Sequence, residues 1–205
     1  MGFYQNHILP KLCDLAMRNS RLAPYRSRAV GMASGRVLEV GAGSGLNFAH
    51  YATGVDEIVA LEPSPRLVRM ARRAAEAARA PVAFVEASGE AIPIDSSSID
   101  SVVLTWTLCS IPDAGKALCE MRRVLKPGGR LVFVEHGLAP ERGVQRWQHR
   151  LTPLWKRVSG GCHLDRPMKE LIETAGFHIE TLQTGYAPGP KFATYFYEGC
   201  ARPER

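Results

Sequence analysis

The chain is poor in the features that mark secreted, membrane-spanning or zinc-binding proteins. Its 205 residues include five cysteines, Cys13, Cys109, Cys119, Cys162 and Cys200, an odd number with no CxxC pair. No disulfide framework or metal site is expected from that pattern, and a cytoplasmic location fits. No apolar run approaches the roughly 20 residues that span a bilayer. Pro10, Lys11 and Asp14 stand where a signal peptide would have its apolar stretch. Repeats and low-complexity tracts are missing, as is an aromatic–basic RNA motif, so no nucleic-acid partner is expected. Acids are scarce at the start: Asp14 stands alone against Lys11, Arg18, Arg21, Arg26, Arg28 and Arg36. A second basic run is Arg66, Arg69, Arg72, Arg73 and Arg79, and the formal net charge is +6. Such runs are ordinarily solvated helix faces. The charge also permits peripheral contact with an anionic membrane.

What remains is ordinary material for one α/β domain, with 45% hydrophobic and 22% charged residues. Residues 3–33 read as one or two helices broken near Pro24, with an apolar stripe of Phe3, Tyr4, Ile8, Leu9, Leu12, Leu15 and Ala16. From Arg36 strands and helices alternate. "RVLEVG", "EIVALEP", "PVAFVEA", "IDSVVLTWT" and "RLVFVEHG" read as strands. "SGLNFAHYA" opens a helix, "SPRLVRMARRAAEAARA" is a strong one, and "DAGKALCEMRRVL" is another, ended by "KPGG". Ser64 is a good N-cap and Pro65 suits the first helical turn. After that the chain is less regular, with a helix at "RPMKELIETAG" and strands at "FHIETLQT" and "KFATYFYEG". This alternation predicts an α/β fold with a mostly parallel, doubly wound, Rossmann-like sheet and helices on both faces. Ligands on such sheets bind beyond the carboxyl ends of the strands.

The first strand ends in Glu39-Val40-Gly41-Ala42-Gly43-Ser44-Gly45. Gly41 and Gly43 lack Cβ, so the chain can turn sharply and approach a ligand. A helix N-terminus after them would offer free N–H groups. The spacing is GxGxG, whereas dinucleotide folds prefer GxGxxG. Glu39 would repel a pyrophosphate and suits a cationic ligand. The second strand ends in Glu62, where a carboxylate can take both ribose hydroxyls of a nucleoside. After the third strand, Ser88-Gly89-Glu90 forms a turn able to present backbone N–H groups, and the fourth ends in Thr105-Trp106-Thr107-Leu108.

Taken in order, "LEVGAGSG", "LEPS", "GEAIPIDSSSIDSVVLTWTLCSIPD" and "RVLKPGGRLVFVEHG" resemble the class I S-adenosylmethionine-dependent methyltransferases over about residues 36–137. That resemblance implies a seven-stranded sheet with a reversed last strand. It divides one domain, 1–205, into an N-terminal helical lid (1–35), a cofactor-binding core (36–137) and a substrate-side segment with the last two strands (138–205). It implies that Gly41, Ala42 and Gly43 line the methionine part of S-adenosyl-L-methionine and that Glu62, with Pro63 beside it, holds the ribose. Gly89 and Glu90 would lie by the adenine, and Thr105 and Leu108 near the sulfonium. Many relatives carry an aspartate where Ser88 stands, so Ser88 or backbone atoms would take over that adenine contact. The cofactor has two cationic groups and no phosphate, which makes Glu39 an asset. The product would be S-adenosyl-L-homocysteine.

"WQHRLTPLWKRVSGGCHLDRPMKELIETAGF", "LCS" and "EHG" resemble one branch, the thiol S-methyltransferases of the methyltransferase-like group and their bacterial relatives. Bacterial phosphatidylethanolamine N-methyltransferases share much of the core, and quinone C-methyltransferases share it too. The methyl acceptor would thus be a small molecule or a lipid. A thiol must ionise before it attacks, and a histidine near neutrality can take the proton. His136 is one candidate base and His163 the other. Cys162 reads as a buried structural cysteine. The N-terminal helix, with Phe3, Tyr4 and His7, would fold over the crevice, lie on a membrane or pack on the sheet edge.

Overall fold

A computed structural model describes residues 8–204, so the expectations for Phe3, Tyr4 and His7 lie outside the described residues. Two short helices come first, α1 (Leu9–Met17) and α2 (Ala23–Gly31). The break expected near Pro24 falls at residues 18–22, and Pro24 stands in the first turn of α2, where a proline forfeits no helical hydrogen bond. The sheet follows: β1 (Gly35–Val40), β2 (Val55–Leu61), β3 (Val82–Val85), β4 (Ile99–Thr105), β5 (Leu125–His136), β6 (Phe177–Tyr186) and β7 (Tyr195–Pro203). Its order is β3-β2-β1-β4-β5-β7-β6. The pairs β3/β2, β2/β1, β1/β4 and β4/β5 are parallel, and β7 runs antiparallel to both β5 and β6. The sheet is thus the expected doubly wound one with a reversed last strand. Val37, Leu38, Ile58, Ala60, Val102, Val103, Leu104 and Phe133 are buried, as strands covered on both faces must be.

Four helices complete the layers: α3 (Pro65–Ala75), α4 (Ala114–Val124), α5 (Arg142–Val158) and α6 (Met168–Thr174). Ser64 caps α3 by accepting from the Leu67 N–H, and Asp113 caps α4 by accepting from the Lys116 N–H. Two expectations need correction. "SGLNFAHYA" makes only a 3₁₀ turn at Phe48–His50. Gly43 and Gly45 adopt left-handed backbone (φ 57° and 81°), which a helix start does not tolerate. Asn47 and Tyr51 are also drawn inward to Glu39. "KPGG" does not stand outside the strand but lies within β5. The 17-residue α5 was not expected at all: Pro153 interrupts its pattern, and Trp147, Leu154 and Val158 face outward.

Candidate functional site

Strand order reverses between β1 and β4, and a crevice opens beyond their carboxyl ends. Its larger part, about 290 Å³, is walled by Gly41, Gly43, Glu62, Pro63, Ser88, Gly89 and Thr105. A smaller part, about 80 Å³, shares Gly41, Gly43 and Thr105 and adds Cys13, Asp14, Arg26, Ala42, Ser44 and Asn47. Eight of the predicted residues, Gly41, Ala42, Gly43, Glu62, Pro63, Ser88, Gly89 and Thr105, therefore meet in one place.

The glycine loop is built from behind. Gly41 has φ 71°, and a Cβ there would sit 2.3 Å from Thr107 Cγ2. The Gly41 and Ala42 N–H groups donate to the Leu61 carbonyl, and the Gly43 N–H donates to Glu62 Oε2 at 3.0 Å. Glu62 Oε1 accepts from the Ser64 N–H at 2.9 Å. Each Glu62 oxygen keeps a second lone pair for a ligand hydroxyl. Burial raises the Glu62 carboxyl above its ordinary value, and the Ser64 and Gly43 amides pull it back. Because no helix follows the loop, helix-terminal N–H groups play no part there.

Glu39 does not reach the crevice. It is fully buried, and its oxygens accept from Asn47 Nδ2 and the Tyr51 hydroxyl, both at 2.8 Å. Burial lifts its carboxyl to about 7, against the hydrogen bonds from Tyr51 and Asn47 and the charge of Arg26. Its contribution is to hold Asn47, whose Nδ2 also donates to Thr105 Oγ1 at 3.0 Å. Of the residues on the crevice wall, Arg26 is the one cation. It is engaged with Asn47 Oδ1 at 2.6 Å, the Met17 carbonyl at 3.0 Å and the Trp106 ring at 5.2 Å. A wall without a free cation, bearing a carboxylate and hydroxyls, suits a cationic nucleoside better than a phosphate.

Two further predicted residues lie off the wall. Glu90 accepts from the Asp113 N–H at 2.7 Å and from Ser88 Oγ at 3.0 Å, so it shapes the turn that presents Ser88 and Gly89. Leu108 is completely buried in the core. From the N-terminal side, α1 covers the loop: Asp14 accepts from Ser44 Oγ at 2.5 Å, and Cys13 and Met17 border the crevice.

The segment after β4, residues 106–112, forms the opposite wall, and sequence reasoning missed what holds it. Glu135 accepts from the N–H groups of Thr107, Leu108 and Cys109 at 2.7, 2.9 and 3.4 Å. Arg166 donates to the carbonyls of Leu108, Ile111 and Pro112. His163 donates its backbone N–H to the Cys109 carbonyl at 2.9 Å, and its Nδ1 lies 3.2 Å from the same oxygen. Thus "EHG" and "GCHLDR" are two halves of one clamp. Gly137 belongs to it, since a Cβ there would lie 2.5 Å from the Arg166 carbonyl. Nothing in the spacing of Glu135 and Arg166 along the sequence reveals that loop as their common target.

Neither histidine borders the crevice. His163 faces the Cys109 backbone, and burial, then Arg166, lowers its pKa. His136, buried at the end of β5, places Nε2 2.8 Å from Cys162 Sγ. Burial pulls its pKa down, but Cys162 and Glu135 outweigh that and raise it overall. The contact with Cys109, opposed by burial and joined by His136, holds the Cys162 thiol well below the usual range.

The family profile described as a methyltransferase domain matches residues 38–133. The rat protein named thiol S-methyltransferase TMT1B is 38% identical over 159 residues, covering 75% of this chain and 64% of its own length. A Clavibacter sepedonicus protein named demethylmenaquinone methyltransferase is 33% identical over 153 residues, covering 72% of this chain and 62% of its own length. The chain therefore spans a little under two thirds of these curated relatives. Among solved structures, the Burkholderia thailandensis 1,6-didemethyltoxoflavin-N1-methyltransferase, with 1,6-didemethyltoxoflavin and S-adenosylhomocysteine bound, aligns with TM-score 0.67 at 18% identity, over 96% of this chain and 84% of its own.

Proposed function

We propose that the chain, whose residues 38–133 match the methyltransferase-domain family, transfers a methyl group from S-adenosyl-L-methionine to the sulfur of a small thiol. One observation carries the cofactor half: Glu62, at the end of β2, is fixed by two amides on the crevice wall with free lone pairs, and no unengaged cation stands beside it. In this reading Glu62 binds the ribose hydroxyls. The Ser88–Gly89 turn borders the adenine, and the Gly41–Gly43 loop borders the methionine part. Thr105 lies near the sulfonium. Glu39 acts through Asn47 and not by contact.

The reaction is an in-line displacement. The acceptor thiolate forms a new carbon–sulfur bond to the methyl carbon as the bond to the sulfonium breaks, leaving neutral S-adenosyl-L-homocysteine. The protein's share is to position the two sulfurs and exclude water. With His136 held on Cys162 and His163 on a carbonyl, the acceptor reaches the crevice already ionised. The rate is then expected to follow the acceptor's own thiol ionisation, rising with pH toward its pKa.

The exposed large apolar side chains of the described residues gather just before and on α1 (Ile8, Leu12, Leu15) and on α5 (Trp147, Leu154, Val158). Leu9 packs on Gly160, so α1 meets the end of α5. Helix α5 carries Arg142, Arg146, Arg150, Lys156 and Arg157 and no acid. These features favour an apolar acceptor drawn from an anionic membrane surface. They keep phosphatidylethanolamine N-methylation and quinone C-methylation as the second reading. No helix among the described residues is long and apolar enough to cross a membrane.

The test is S-adenosyl-L-homocysteine production against small thiols, hydrogen sulfide, quinols, and liposomes containing phosphatidylethanolamine. Turnover on thiols alone supports the first reading. Turnover only on liposomes or quinols replaces it with the second.

A further inference from the structure

Behind the wall formed by residues 106–112, three side chains distant in sequence converge. Cys109 Sγ, His136 and Cys162 Sγ place their ligand atoms within 4.8 Å of one another, the first two residues buried and Cys162 half-buried. They come from three separate elements: the loop after β4, the end of β5, and the α5–α6 connection. None takes part in the methyl transfer described above.

The backbone around them is built to hold this arrangement. Gly160 and Gly161 both adopt left-handed backbone, φ 67° and 88°, and turn Cys162 inward. The bond from the His163 N–H to the Cys109 carbonyl ties the two cysteine-bearing segments together. Glu135 grips the Cys109 N–H from the strand that carries His136. The ligand atoms are thus fixed by the clamp and do not depend on flexible surface side chains.

We propose that Cys109, His136 and Cys162 form a three-ligand site for a d10 cation of the zinc class, with a fourth coordination position open. Two thiolates and one imidazole are the donor set such a cation selects, and two thiolates balance a divalent charge within a buried site. Tetrahedral bonds of about 2.0–2.3 Å require ligand atoms roughly 3.3–3.8 Å apart. All three ligand atoms lie within 4.8 Å of one another, and the 2.8 Å contact between His136 and Cys162 must open by somewhat less than about 1 Å. Three protein ligands with an open position is the pattern of reactive zinc, whereas structural zinc usually has four. The CxxC criterion misses the site because its cysteines are 53 residues apart in sequence and meet only through the fold.

The test uses the full chain, reduced and freed of metal, titrated with cobalt(II) and then zinc(II). One equivalent of cobalt is expected, with thiolate-to-cobalt charge-transfer absorption, displaced by zinc, and zinc should raise the thermal midpoint. Cys109→Ser and Cys162→Ser should each lose the charge-transfer band and weaken uptake about 100-fold, whereas Cys119→Ser, at an exposed position outside the cluster, should match the parent. Should the serine variants not fold, the parent decides: zinc should protect Cys109 and Cys162 from alkylation, read peptide by peptide, and leave Cys119 unprotected. Cobalt uptake without thiolate bands overturns the proposal. So does unchanged uptake in both serine variants, or alkylation of Cys162 that zinc does not slow. A preparation that closes a Cys109–Cys162 disulfide and takes up no cobalt even after reduction overturns it as well.

Discussion

Two buried carboxylates, Glu62 and Glu135, do the same structural work at opposite walls of the crevice, and the difference between them separates binding from building. Each sits at or near the carboxyl end of a strand and accepts amide N–H groups from a loop. Glu62 takes two amides, from Gly43 and Ser64, and keeps a face on the crevice. Glu135 takes three, from Thr107, Leu108 and Cys109, and is fully buried. The first is equipped to serve a ligand. The second only shapes the wall that a ligand meets. Glu39 is a third case, buried behind the glycine loop with both oxygens committed to side chains.

On that division, Glu135→Ala should do the largest damage. It strands three buried donors, and chemical denaturation should show a loss of about 3–5 kcal/mol. Glu62→Ala should act mainly on the ligand: calorimetry should find S-adenosyl-L-methionine binding weakened by about 1–3 kcal/mol. Unchanged affinity would refute the ribose assignment and collapse the distinction between the two carboxylates.

Glu39 sharpens the comparison through pH. Its carboxyl moves from an ordinary 4.5 to about 7 because burial disfavours the charge. The native state therefore keeps a proton that the unfolded chain has already lost. Its contribution makes the protein less stable as pH rises from about 4.5 to about 7 and is constant outside that window. Glu39→Gln should remove that decline, gaining about 2 kcal/mol on the parent between pH 5 and pH 8. Denaturant midpoints at the two pH values measure it, and parallel curves would contradict the burial argument. An exposed carboxylate sets the floor. Glu57 pairs with Arg36 at 2.8 Å, both more than a third exposed. Glu57→Ala should cost no more than about 0.5 kcal/mol, and less in high salt, by thermal unfolding.

Much of the core was legible because strands buried on both faces write themselves as apolar runs, and Ser64 and Asp113 mark helix starts. The crevice was legible for a related reason: its residues fall at strand ends. The missing pieces share a different cause. Helix α5 turns Trp147, Leu154 and Val158 outward and buries Gln148 and Thr152, so its pattern did not resemble a core-facing helix. Glu39, Glu90 and Leu108 stand beside crevice residues in sequence, yet their side chains turn away from it. Sequence position alone does not say which way a side chain near a strand end points once the loop has bent.

The sequence by itself determined the alternation of strands and helices, the glycine turn and the acid at the end of β2, because each is a local pattern governed by backbone sterics and burial. Only the tertiary structure decided that Glu135, His163 and Arg166 grip one loop, that His136 faces Cys162 and not the crevice, and that Cys109 joins them. Those contacts connect residues that are 26 to 58 positions apart, and a contact across that separation depends on how the strands are ordered in the sheet, which no short window of residues records.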